Sequence, residues 1–139
     1  MTFLIIDTSV AVKWLNQDNE ENIEKADKIL QDAMEGRVEL ITSELLKYEV
    51  GNALLFGKKI AVEDIEDLLD IFYTLPLTFV TWDKNLANTT YDLAKTLSIT
   101  YYDASFMALA KQYDALLVTE NIKHQGKSAD ISVKSLVEY

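Results

Sequence analysis

Four short apolar runs, at 3–6, 40–42, 77–81 and 116–118, alternate with segments of helical period, and this alternation constrains the fold more than any other feature. Apolar positions 23, 26, 29, 30, 33 and 34 recur at helical spacing up to Gly36. Ser43 is placed to cap a helix from 44 to about 56. The next helix, near 62–74, carries Glu63, Asp64 and Glu66 in its early turns, where the helix dipole favours acids. It stops at Leu75-Pro76 because the residue before proline resists helical geometry. Helices are further expected from 83 to about 97 and from 103 to about 113, and an edge strand from the tail at 131–137. Strands that alternate with helices need crossover connections. The expected architecture is therefore a single three-layer α/β/α domain, 1–139, around a central, mostly parallel sheet.

Composition narrows the chemistry. Hydrophobic residues at 49% and charged residues at 26% fit a globular chain whose core needs no staples. No apolar run is long enough to span a membrane, and the N-terminal residues lack a signal peptide's pattern, so a cytoplasmic protein is expected. The absence of cysteine removes disulfides, thiolate catalysis and thiolate metal sites together. One histidine, His124, cannot build a His-rich metal site. Glycines 36, 51, 57 and 126 form neither a P-loop nor a dinucleotide fingerprint, and no GxSxG elbow is present. Reactive chemistry is left to carboxylates and a hard cation. The net charge of −10 argues against a general nucleic-acid-binding surface. It still permits a nucleic-acid substrate, because bound metal inverts the local sign of an acidic site. Lys13, Lys47, Lys58, Lys59, Lys123 and Lys127 are candidates for a basic rim, although each is by default solvated surface.

The acids fall at informative places. Asp7, with Thr8 and Ser9, ends the first strand, where α/β sheets place their ligands. An aspartate there is also an ordinary N-cap, so the reading depends on three later segments. Glu49 has Leu46 at i−3 and Ala53 at i+4, and a carboxylate on such an apolar stripe requires a cation or a basic partner. Asn52 shares that face and is placed to orient it. Asp103 opens a helix, whose dipole helps to keep it ionised. Thr119-Glu120-Asn121 follow the fourth strand as Asp7 follows the first. Singly, Asp103 is a reasonable cap, Glu49 a salt-bridge partner and Asn121 a turn residue. Jointly, strand ends and helix starts of a parallel sheet converge on one edge. Clustered carboxylates repel unless a cation is present, and oxygen ligands of this type suit Mg²⁺ or Mn²⁺.

Four segments carry a resemblance, in order along nearly the whole chain: Ile5-Ile6-Asp7-Thr8-Ser9-Val10-Ala11-Val12-Lys13-Trp14, Glu44-Leu45-Leu46-Lys47-Tyr48-Glu49-Val50-Gly51-Asn52-Ala53-Leu54, Tyr102-Asp103-Ala104-Ser105-Phe106-Met107-Ala108-Leu109-Ala110 and Leu117-Val118-Thr119-Glu120-Asn121. With them the chain resembles the PIN-domain ribonucleases, in particular the VapC-like toxins of type II toxin–antitoxin pairs. The resemblance implies a PIN-like α/β/α fold and an acidic active site at Asp7, Glu49 and Asp103. Asp7 and Asp103 are then the main ligands of Mg²⁺ or Mn²⁺, with Glu49 at a second metal or positioning water. The family's fourth position, usually Asp, falls on Asn121, a neutral and poorer ligand that would hold a second metal more weakly. Thr119, Ser9 and Asn52 take supporting places, and Glu120 points elsewhere.

The implied reaction is hydrolysis of an RNA phosphodiester by in-line attack of water with a divalent cation. The implied partners are RNA, a cognate antitoxin and a second copy of the chain, with no membrane. Two other classes compete: an RNA-processing nuclease without antitoxin, and a binding module weakened in catalysis by Asn121.

Overall fold

β-Branched and leucine side chains fill both faces of the first strand, β1 (Thr2–Ile6), in which Leu4, Ile5 and Ile6 are all buried. A strand covered on both sides belongs at the centre of a parallel sheet. A computed structural model, which describes residues 2–122 and 130–139, places it there. Its neighbours are β2 (Val38–Ser43) on one side and β4 (Leu116–Thr119) on the other. β3 (Leu77–Val80) and the three-residue β5 (Val133–Ser135) form the edges. The order is β3-β2-β1-β4-β5, and all four pairings are parallel. Leu4 lies opposite both Leu40 and Leu116, so leucines from three strands form one layer across the centre.

This order fixes the place of a ligand. The chain runs outward from β1 through β2 to β3, then crosses back to β4 on the other side of β1. The carboxyl ends of β1 and β4 therefore bound a topological switch point, the usual binding crevice of an open α/β sheet.

Among the described residues six helices cover the sheet. They are α1 (Thr8–Ala11, continued by a tight turn at Val12–Trp14), α2 (Ile23–Met34), α3 (Leu45–Asn52), α4 (Val62–Thr74), α5 (Lys84–Leu97) and α6 (Tyr101–Gln112). Residues 104–110 of α6 are buried without interruption, as expected of a helix packed on all sides. α6 starts before the expected position 103 because Thr100, not Asp103, takes the cap, its hydroxyl accepting the Asp103 N–H at 3.0 Å. The Ser43 hydroxyl accepts the Leu45 N–H at 3.1 Å, as its place before α3 suggested. α3 then widens into a π-helical turn at Ala53–Gly57, so the expected single helix is two local geometries. The expected edge strand at 131–137 is shortened to β5 because Leu136, fully buried, begins a turn of 3₁₀-helix. Among the described residues no helix is long and apolar enough to cross a membrane. His124, Lys123, Lys127 and Gly126 lie outside the described residues.

Away from the crevice, Asp32 of α2 fastens the last residue to the body. One oxygen accepts from Lys28 at 2.9 Å and from the Tyr139 hydroxyl at 2.7 Å, and the other accepts from Arg37. Hydrogen bonds from Lys28, Tyr139 and Arg37 hold this carboxyl well below its ordinary 3.8. In mild acid the unfolded chain takes up this proton before the folded one does. The stabilisation is thus present above about pH 4 and is lost as pH falls further. Asp32→Asn should cost about 1–3 kcal/mol near neutral pH, with the difference from wild type shrinking in acid, as read by denaturant unfolding at a series of pH values.

Candidate active site

Asp7 stands at the first turn out of β1, with extended backbone (φ −101°, ψ −176°), and its main-chain carbonyl accepts from Val10 and Ala11 to begin α1. Its side chain does not cap that helix. One carboxylate oxygen accepts from the Ser9 hydroxyl and the other from the Thr119 hydroxyl at the end of β4. Asp7 is only 6% exposed, and burial pushes its carboxyl above the ordinary 3.8. The bonds from Ser9 and Thr119 oppose that rise, and the charge of Asp103 adds to it.

Glu49 projects from α3 and is half-buried. Its partner is Thr8, whose hydroxyl donates to Oε1 at 2.9 Å. Burial raises this carboxyl too, against the Thr8 bond, and the charges of Asp103 and Asp7 reinforce the rise. Asp103 lies in the first turn of α6, with Oδ2 3.5 Å from the Asn121 side-chain amide. The Asn121 backbone N–H donates to the Thr119 hydroxyl at 2.8 Å, so one threonine side chain links Asp7 to the loop carrying Asn121. Asn52 is exposed and lines a depression of about 540 Å³ together with Glu49, Thr8, Tyr48 and Tyr102. Thr8, rather than Asn52, supplies the described hydrogen bond to Glu49.

Glu120 turns the other way. Its backbone N–H donates to the Ser9 hydroxyl at 3.2 Å, while its carboxylate pairs with Lys13 at 3.1 Å. Lys13 is only 1% exposed and is held by three acceptors, the others being Glu20 at 2.8 Å and the Glu21 carbonyl at 2.6 Å. Burial works against its charge, but hydrogen bonds to Glu20 and Glu120 outweigh that and raise its pKa above 10.5. Lys58 closes the network on the second oxygen of Glu20 at 2.6 Å. Lys13 is thus an internal counter-ion rather than solvated surface. The signal in the sequence is a lone lysine between Val10-Ala11-Val12 and Trp14-Leu15. Lys47 is also engaged, 2.8 Å from Glu44 and 4.4 Å above the Phe79 ring.

Asp7, Glu49 and Asp103 come from three elements, and the charge of Asp103 reaches both Asp7 and Glu49, adding to a rise that burial dominates. Among the described residues no three acids are gathered tightly enough to enclose a metal ion. The donor set itself, all oxygen and mutually repelling, has the chemistry of a hard-cation site. Thr8 and Lys13 are the contributors that motif reading passes over, one holding Glu49 and the other drawing Glu120 away from the acids.

A family model of the PIN domain matches residues 4–127, and the chain belongs to that family. No curated protein matches the sequence significantly. Among solved structures, VapBC2 from Rickettsia felis, bound to a DNA fragment from its promoter, is similar at a TM-score of 0.74 and 18% identity, with 96% of this chain and 98% of that chain covered. DNA-bound VapBC from Salmonella typhimurium gives 0.69 and 15% over 98% and 99% of the two chains. Mycobacterium tuberculosis VapC20, described as a sarcin-ricin loop cleaving toxin, gives 0.62 and 12% over 82% and 86%. At such identities these likenesses show the shared fold.

Removing the buried cation should be costly, because Glu20 and Glu120 would lose their common partner. Lys13→Met is expected to lower unfolding free energy by about 3 kcal/mol, and Glu120→Gln by clearly less, in urea titrations.

Proposed function

We propose that the protein is an endoribonuclease that hydrolyses RNA phosphodiester bonds with Mg²⁺ or Mn²⁺ and acts as the toxin of a type II toxin–antitoxin pair. What supports this reading is a PIN domain in which Asp7 ends the central strand at the switch point and the carboxyls of Asp7 and Glu49 are raised by burial, with the charge of Asp103 adding to both. Residues 1–139 then act as one cytoplasmic domain. A cognate antitoxin and a second copy of the chain are its protein partners. The similarity in fold to chains of VapBC complexes supports the antitoxin.

In this reading Asp7 and Asp103 hold the cation, and Glu49 contacts a second one or orients the attacking water. Ser9 and Thr119 keep both oxygens of Asp7 in place, and Thr8 does the same for one oxygen of Glu49. Asn121 occupies the fourth position as a neutral amide beside Asp103, and Asn52 lies at the rim. A divalent cation, when bound, lowers the pKa of water and offsets charge on the phosphoryl oxygens. A binding module is the second reading, favoured by that same amide where a fourth carboxylate would stand.

RNA cleavage should require added Mg²⁺ or Mn²⁺, vanish in excess chelator, and fall at least about a hundredfold in Asp7→Asn and Asp103→Asn variants that keep the wild-type circular dichroism. Metal-independent cleavage, or full activity in either folded variant, would defeat the mechanism. Absence of cleavage by wild type with metal would favour the binding module.

Asn121→Asp should destabilise the metal-free protein by repulsion with Asp103 and enlarge the stabilisation by Mn²⁺. Thermal-shift titration reads both effects, a saturating cation at a hundred times its Kd contributing about 2.7 kcal/mol. Equal metal responses in wild type, Asp7→Asn and Asn121→Asp would mean that these residues share no cation site.

A further inference from the structure

Two acids of the crevice are each preceded by an exposed tyrosine: Tyr48 before Glu49, and Tyr102 before Asp103. These rings are 77% and 57% exposed. With Leu45, Trp82, Tyr101 and Ser105 they line a cavity of about 240 Å³, and the same two tyrosines also line the depression that holds Glu49. The aromatic walls come from α3, the segment before α5, and α6. Across the cavity wall the Trp82 indole N–H donates to the Tyr101 hydroxyl at 3.5 Å. Exposed aromatic rings gathered at a catalytic edge mark a contact surface.

The geometry points to an aromatic subsite that stacks a nucleobase of single-stranded RNA beside the phosphate held at the acids, an inference that rests on the ribonuclease reading. The reason lies in the charges. The chain carries −10, and Lys13, Lys47 and Lys58 each have a carboxylate partner, which weakens their pull on a phosphate backbone. Stacking on a ring face needs no charge and accepts any base. Tyr48 and Tyr102 line the same depression as Glu49, so a strand with its phosphate there brings a flanking base to the rings.

The test uses full-length Asp7→Asn protein, blocked in cleavage, and a single-stranded RNA oligonucleotide. Binding should quench tryptophan fluorescence, and Trp82→Phe should remove that quench. Tyr48→Ala and Tyr102→Ala should each raise Kd about tenfold, and phenylalanine at the same positions should recover the lost affinity. An oligonucleotide abasic next to the cut site should bind the parent as weakly as the intact strand binds the alanine variants. In the cleavage-competent chain the alanine variants should raise KM more than they lower kcat. Unchanged Kd in both alanine variants, or equal affinity for the abasic strand, overturns the subsite. So does a shift in sedimentation of the alanine variants with RNA binding intact, which would assign the rings to a second copy. RNA that is stacked but never cut by wild type with metal leaves the subsite standing and removes the ribonuclease reading. RNA that is cut equally by wild type and both alanine variants removes the subsite alone.

Discussion

A carboxylate that is almost wholly buried, Asp7, sets the terms for the rest of this molecule. Burying a charge without partners is prohibitive, so the fold supplies hydroxyl donors to both oxygens. One donor, Ser9, comes from the turn that follows Asp7. The other, Thr119, ends β4, so the same bond that satisfies Asp7 ties the carboxyl end of β4 to that of β1 where the strand order reverses. The loop after β4 inherits its position, because the Asn121 N–H rests on the Thr119 hydroxyl. Structure and acidity at this edge are therefore one arrangement.

The acids divide into two electrostatic classes. Glu20 and Asp32 face cations that hold their carboxyls below the ordinary values, despite the burial that opposes this at Glu20. Asp7 and Glu49 have hydroxyl donors and acidic neighbours, and burial pushes their carboxyls up. Carboxyls raised by burial and like charge concentrate at functional sites, which is why these two are the candidates. Lys13 keeps the two classes apart. Without it, the Glu120 carboxylate, one residue from both Thr119 and Asn121, would have no buried cation drawing it away from Asp7 and Asp103.

Much of this was legible in the sequence because it depends on local rules. Short apolar runs between helical periods give the parallel sheet, Pro76 ends α4, and Asp83 caps α5 through the Leu86 N–H. The errors were local too. Asp103 and Thr100 compete for one cap, and the threonine three residues before Asp103 takes it. The π-turn after α3 and the early end of β5 depend on tertiary packing, which no window of a dozen residues contains. Pairings across the fold were the least legible. Thr8 with Glu49 spans 41 positions and Thr119 with Asp7 spans 112, and only the topology brings them together. Lys13 departs from the expected solvated surface because its partners are Glu20, seven positions on, and Glu120, which only the fold brings near.

The amide at position 121 then has a physical role of its own. A carboxylate there would face Asp103 across the same short gap, and two like charges in a partly buried cleft raise each other's pKa and strain the cation-free protein. Asn121 instead offers Asp103 a donor. It keeps the geometry of the loop while removing one charge from a cluster that already carries two raised carboxyls. In the proposed cation site, three acids rather than four would mean weaker attraction for a cation and less repulsion without it. In the proposed subsite the neutral rings of Tyr48 and Tyr102, which line the depression that holds Glu49, would supply a substrate affinity that does not depend on charge.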